Sequence, residues 1–70
     1  MTVVKVVELV GESQKSWDDA VQCAMREAAK SIRHINGVEV LNWTGDVNDG
    51  GEIVKYKADI QIAFRVEPEE

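Results

Sequence analysis

Few side chains in this 70-residue sequence could act as nucleophiles, bases or metal ligands. His34 is the only histidine and Cys23 the only cysteine, and the sequence places no partners for a base or a metal ligand near His34. On one continuous helix the two would lie about 16 Å apart, too far to work together. A general base or a histidine ligand needs partners within hydrogen-bond reach. We therefore expect a surface or interface role for His34, an unreactive Cys23 and no enzymatic activity.

Oxygen-bearing side chains concentrate in the segment 46–52, where they could attract calcium. The loop pattern of a helix–loop–helix calcium site fails here, because its fifth position would be Gly50 and its last position Lys57. Asn, Asp and Gly tolerate the left-handed backbone angles of a hairpin turn. We expect a turn at residues 48–51 and keep only weak metal candidates: Asp46, Asn48, Asp49 and Glu52.

The two tryptophans are candidates for packing or for contact with a ligand. Trp17 begins an apolar stripe and is expected in the core. Trp43 follows a change of apolar phase in its strand, and both packing or interface and ligand contact remain open for it.

The first element that must position these residues is a strand over residues 2–10. Both of its faces are largely apolar: Val4, Val6 and Val10 alternate with Val3, Val7 and Leu9. A strand of this kind is covered on both sides. One helix covers only one face of a sheet, so we expect another subunit to cover the second.

A helix is predicted over residues 17–35. Ser16 is a good N-cap, and Asp19 three residues later resembles a capping box. Apolar residues then recur with the 3.6-residue period of one buried stripe, with Ala20, Ala24 and Ala28 allowing close approach to a sheet. Residues 36–37, Asn-Gly, are expected to end the helix.

Two further strands are predicted over residues 38–47 and 53–67. The first changes apolar phase near Val40 and Leu41, which indicates a β-bulge or a strand with two different partners. The last alternates regularly between apolar and polar residues. A right-handed crossover followed by a hairpin gives a three-stranded antiparallel sheet of order 1-3-2. The expected fold class is α+β, βαββ, with the sheet wrapped around one helix and residues 1–70 forming one domain.

Composition excludes several functional classes. The formal net charge is −5 and the eight basic residues are scattered, so the electrostatic footprint of nucleic-acid binding is missing. The N-terminus lacks a signal-peptide pattern, and no apolar run approaches the roughly 20 residues of a membrane span. With a single cysteine, the sequence favours a cytoplasmic protein without nucleic-acid or membrane partners.

Three segments together resemble the dodecin family: KVVELVG at 5–11, SWDDAV at 16–21 and YxxxIxIxFRVE at 56–67. The resemblance covers nearly the whole chain. It implies a βαββ subunit of a hollow homododecamer with cubic symmetry. In many members, paired flavins (FMN or riboflavin) stack between tryptophans at a symmetry axis and are stored there, and some bacterial members take up coenzyme A.

The sequence departs from the family pattern at the flavin site. Gly37 occupies the position of the stacking tryptophan, and Lys57 replaces a glutamine that contacts the flavin ring. Arg65, which in bacterial members can meet a phosphate-bearing ligand, is retained. By resemblance, the candidate ligand-binding residues are Gly37, Val38, Trp43, Lys57 and Arg65. The expected function is storage of flavin or a related nucleotide; the alternative is a dodecamer without flavin that has a structural role or binds calcium at subunit junctions.

Overall fold

The computed structural model describes residues 2–66, which form three strands and one helix. In chain order these are β1 (Val3–Ser13), α1 (Trp17–Ala29), β2 (Ile35–Val47) and β3 (Ile53–Val66). The strand order is β1-β3-β2, and both outer strands run antiparallel to β3. The βαββ fold and the 1-3-2 sheet are therefore confirmed.

The sheet has a helix face, which packs on α1, and an outer face on the opposite side. Alternation along β3 separates them, because its even-numbered residues Ala58, Ile60 and Ile62 are fully buried against the helix. The helix contributes its row of small residues, and the buried core consists of Ala20, Ala24, Ala28, Ala58, Ile60 and Ile62. On β1, Val7 and Leu9 belong to the helix face.

The small-residue row brings the helix backbone unusually close to β1 at Gly11. A Cβ atom at Gly11 would collide with the carbonyl oxygen of Ala20 and would lie 3.0 Å from the Ala24 Cβ. Only a residue without a side chain fits this contact. Gly11 therefore sets the distance between helix and sheet, and β1 continues beyond the predicted end at residue 10 to Ser13.

The helix begins as predicted and ends six residues early. The Ser16 side chain accepts a hydrogen bond from the Asp19 amide at 3.0 Å, which confirms the N-cap. The last helical residue is Ala29, not residue 35, and Lys30 is the C-cap. His34 then adopts a left-handed backbone (φ 63°) that a continuing helix cannot contain.

The predicted end was wrong because Ile32 and Ile35 continue the apolar period without continuing the helix. Both pack on the core, Ile32 from the connection and Ile35 as the first residue of β2, paired with Phe64. β2 consequently begins three residues before the predicted position 38. The sequence had suggested that His34 and Cys23 share one helix. They do not, because His34 lies in the connection after α1.

A bulge in β2 lies where the apolar phase changes. Its register shifts between Val40, which pairs with Ile60, and Asn42, which pairs with Asp59, leaving Leu41 as the extra residue. Further register shifts occur at the two ends of the strand. The bulge prediction is confirmed, and Trp43 returns to the helix face together with Val40.

The hairpin between β2 and β3 turns at residues 48–51. Asn48 closes the turn, since its side-chain oxygen accepts hydrogen bonds from the amides of Gly50 and Glu52, each at 3.0 Å. Gly51 supplies a left-handed φ of 83°. The described part of β3 ends at Val66, and the predicted end at residue 67 lies outside the described residues.

Candidate functional site

Gly37 and Arg65 are neighbours on the outer face at one end of the sheet. Gly37 pairs with Ala63, and Arg65 is two residues further along the same face of β3, a rise of about 7 Å. The Arg65 amide also donates a hydrogen bond to the His34 carbonyl oxygen at 3.0 Å, joining the strand to the connection. The nearest neighbour of a Cβ atom at Gly37 would be Ala63, at 3.6 Å, so this patch of the outer face is open.

Lys57 shares the outer face but lies far from that patch. It is six residues from Ala63 along β3, a rise of about 20 Å. Its Nζ is 3.2 Å from the Asp46 carboxylate, across the β2–β3 pair. A single small ligand could therefore touch both Lys57 and Gly37 only if the two residues came from different subunits.

Trp43 and Val38 lie on the helix face, opposite the other candidates. Val38 pairs with Ile62 and Trp43 with Ala58, both helix-face positions of β3. The five residues assigned by family resemblance therefore divide into two groups: Gly37, Lys57 and Arg65 on one face, Val38 and Trp43 on the other. Trp43 cannot replace the missing ring at Gly37 within one chain.

Trp43 belongs instead to an aromatic cluster at the start of α1. The Trp17 and Trp43 rings meet edge to face at 90°, with centroids 6.4 Å apart, and Trp17 also contacts Tyr56 at 4.8 Å. The Trp17 indole N–H donates a 2.8 Å hydrogen bond to the Thr44 carbonyl oxygen. Trp17 is only partly buried, so the expectation of a core residue was incomplete. Sequence alone missed the cluster because it depends on the bulge in β2.

The outer face fits a flavin only in part. No aromatic ring of one chain stands at Gly37, so the stacking surface of the family is missing from the subunit. Arg65 places a guanidinium group, which by its chemistry can pair with a phosphate, on the same face as this open patch. These residues suit the anionic tail of a nucleotide better than its ring.

The four weak metal candidates do not converge. Asn48 donates through its side-chain amide to Glu52 at 3.2 Å, and Asp46 is paired with Lys57. Among the described residues, Asp49 has no hydrogen bond or ion pair with the other three. Within residues 2–66, no group of three or more His, Cys, Asp or Glu side chains could hold a metal ion.

A pair of carboxyl groups, Glu8 and Asp59, lies on the outer face across β1 and β3. Its hydrogen bond with Asp59 raises the pKa of Glu8, and charge repulsion and burial act in the same direction. The Oδ1 atom of Asp59 is buried and has no hydrogen-bond partner among the described residues. The sequence analysis missed this pair, whose signal is two acids one diagonal step apart in the β1–β3 register.

A second polar cluster joins β1 to the helix N-terminus. The Ser13 hydroxyl donates a 2.7 Å hydrogen bond to the Asp19 carboxylate and accepts one from the Lys15 amide at 2.9 Å. The bond from Ser13 lowers the pKa of Asp19, assisted by the charges of Lys15 and Arg26 and opposed by desolvation. Cys23 is exposed on the next turn, and its thiol contacts Asp19 at 3.8 Å. This arrangement stabilises the start of the helix.

The described part of the chain contains no helix that is long and apolar enough to cross a membrane.

Comparisons with known proteins agree with the fold. The family model described as Dodecin matches residues 3–67. A relative named dodecin, from Thermus thermophilus, is 35% identical over 65 residues, covering 93% of each chain. A relative named calcium dodecin, from Mycobacterium tuberculosis, is 29% identical over 68 residues, covering 97% of this chain and 94% of the relative.

Among solved structures, a variant of the T. thermophilus dodecin superposes with a TM-score of 0.90 at 34% identity, covering 97% of this chain and 100% of that one. The residues matched by the family model include all four elements. The order and pairing of these elements support the same family assignment. This chain belongs to the dodecin family of small, non-enzymatic binding proteins.

Proposed function

We propose that this protein forms a homododecameric shell that sequesters a flavin nucleotide or a related phosphate-bearing nucleotide on its outer sheet face. The observation that carries the ligand proposal is the open patch at Gly37 beside Arg65. A phosphate is a good partner for a guanidinium group, which can bind it with two parallel hydrogen bonds. FMN and coenzyme A carry such a group, whereas riboflavin does not.

Self-assembly is supported by the apolar outer face of β1. Val4, Val6 and Val10 lie on that face and are 52%, 54% and 59% exposed. The helix covers the other side of the sheet, so none of residues 2–66 covers this row. Continuous apolar surface is normally buried by association, and family membership implies a homo-oligomer.

The missing ring at Gly37 sets the expected ligand preference. Aromatic stacking is worth about 0.5–1.5 kcal/mol per pair beyond burial, and a ligand between two such positions loses both. Riboflavin depends most on stacking and is expected to bind weakly. FMN keeps its phosphate contact, so we expect it to bind more tightly than riboflavin and with a stronger dependence on salt.

Fluorescence quenching of added flavins tests this proposal. Protein purified in the dark should quench FMN at lower concentration than riboflavin, and unlabelled coenzyme A should reverse the quenching. Arg65→Ala should weaken FMN binding at least about tenfold and leave riboflavin unchanged, because a charged hydrogen bond is worth roughly 1.5–3 kcal/mol. Arg26→Ala, which removes the same charge from the helix side, is the control. Absence of both quenching and a calorimetric binding signal with both flavins would exclude a flavin ligand.

A second candidate function is calcium binding, and the Glu8–Asp59 pair favours it. A cation would provide a partner for the buried Asp59 Oδ1 and relieve the charge repulsion between Glu8 and Asp59. Calcium takes six to eight oxygen ligands, so neighbouring subunits or water must supply the others. Calcium should then raise the melting temperature through mass action, and Asp59→Asn should abolish the rise. Glu27→Gln, an exposed acid on the helix, is the control; a rise unaffected by Asp59→Asn would reject this site.

A further inference from the structure

A cleft separate from the outer face opens beside the aromatic cluster. It is lined by Trp17, Asp18 and Trp43 and has a volume of about 360 Å³. This volume falls within the range of small-ligand sites, roughly 300–1,000 Å³. The cleft lies on the helix side of the sheet, and none of its lining residues contributes to the proposed nucleotide site.

The Trp17 and Trp43 rings form two perpendicular walls of the cleft. The indole planes of Trp17 and Trp43 stand at 90° to each other, with centroids 6.4 Å apart. Trp43 remains 50% exposed, which leaves much of its ring surface available. The negative face of an indole attracts a cation that approaches within about 6 Å of the ring. Perpendicular indoles therefore favour a compact cation over a flat neutral molecule.

The polar groups of the cleft also favour a positively charged ligand. Asp18 adds a carboxylate to the lining, and it has no hydrogen bond or ion pair to any of residues 2–66. The Trp17 indole N–H is already used by the Thr44 carbonyl oxygen, so it is not available to an acceptor on a ligand. The positive end of the helix dipole would favour an anion here, and the acids of the first helical turn, Asp18 and Asp19, offset it.

We propose that this cleft binds a small organic cation of the quaternary ammonium class, held by the two indole rings and the Asp18 carboxylate. The methyl groups of such a cation bury against the rings, and its charge needs no hydrogen-bond donor or acceptor. A compact trimethylammonium group fits a cleft of this volume. The proposal is independent of the flavin and calcium hypotheses, because it uses other residues on the other side of the sheet.

The two tryptophans make the cleft directly observable. They are the only tryptophans in the chain, so intrinsic indole fluorescence reports on this cleft alone. We would titrate the full-length protein with choline and with 3,3-dimethylbutan-1-ol, its neutral isostere, and follow both by fluorescence and calorimetry. Choline should give a saturable change with a dissociation constant on the order of millimolar, and the neutral isostere should bind about tenfold more weakly.

Substitutions separate charge recognition from structure. Asp18→Asn should weaken choline binding about tenfold, and Asp18→Glu should restore most of it, because the second variant keeps the carboxylate. Glu27→Gln removes the same charge from the far end of the helix and should have no effect. Trp43→Leu should remove the binding, while circular dichroism and light scattering confirm that the variant still folds and assembles.

Three results would overturn the proposal. Equal affinity for choline and its neutral isostere would show that charge is not recognised. Unchanged choline affinity in Asp18→Asn would show that the carboxylate takes no part. Tryptophans that acrylamide cannot quench in the assembled protein would show that a second copy of the chain fills the cleft.

Discussion

Gly37 and Trp43 lie on opposite faces of the sheet although they are six residues apart in one strand. An even separation normally places two residues on the same face. The extra residue Leu41, between the pairs Val40–Ile60 and Asn42–Asp59, reverses the alternation. This bulge separates the open patch at Gly37 on the outer face from the aromatic cleft on the helix face.

Restoring a ring at Gly37 should restore flavin stacking. Gly37 lacks a left-handed φ, and a Cβ atom there would make only an ordinary contact of 3.6 Å with Ala63, so the backbone accepts a side chain. We expect Gly37→Trp to increase riboflavin affinity at least about tenfold, measured by fluorescence quenching. Gly37→Leu adds apolar bulk without a planar ring and should not do so. Equal gains in both variants would attribute the effect to burial alone.

Gly11→Ala should destabilise the protein substantially. The added methyl group would collide with the Ala20 carbonyl oxygen, so the helix must move away from β1. Overpacking of this kind costs about 1–3 kcal/mol. Gly37→Ala, in an open part of β2, should change the free energy of unfolding by less than about 0.5 kcal/mol. Both are measured by denaturant unfolding at one chain concentration, and similar effects in the two variants would show that the contact at Gly11 is unimportant.

Ser13→Ala should reduce the acid sensitivity of the fold. The Ser13 hydroxyl lowers the pKa of Asp19, so ionised Asp19 stabilises the folded state above its unfolded pKa of about 3.9. That stabilisation is lost as the pH falls through the lowered value. The variant should raise the pKa of Asp19 towards its ordinary value, detected by NMR titration of the carboxyl carbon. Ser31→Ala is the control, and an unchanged Asp19 titration in Ser13→Ala would refute the assignment.

His34→Val should destabilise the connection between α1 and β2. His34 has a φ of 63°, where a β-branched residue is strained, and the expected cost is about 1–2 kcal/mol. His34→Asn should be nearly neutral, because Asn adopts this conformation readily. Thermal unfolding of both variants at equal concentration checks the comparison. A tolerated valine would mean that the connection can relax away from the left-handed conformation.

The sequence was informative wherever a local physical signal acted alone. The Ser16 cap, the turn at Asn48 and the alternation of β3 each depend on residues close in the chain. The phase change near Val40 predicted the bulge, because a half-buried strand must keep its apolar residues on the core side.

Prediction from sequence was wrong where one pattern of apolar residues fits both a helix and a connection followed by a strand. Ile32 and Ile35 sit at helical spacing, yet they reach the core from the connection and from β2. No glycine or proline marks the true helix end at Ala29, and the residue that redirects the chain is a left-handed histidine. The aromatic cluster depends on how the bulge orients Trp43 relative to α1, and the Glu8–Asp59 pair depends on strand register. Both require knowledge of the assembled sheet.

The most direct test of this account is the mass of the purified protein by light scattering coupled to size exclusion. None of the described residues covers the apolar row on the outer face of β1, and both ligand proposals for that face presuppose the assembled shell. We predict a single species of twelve times the 7.8 kDa chain mass. A stable, well-folded species of 7.8 kDa at working concentration would contradict the shell and the outer-face sites that depend on it.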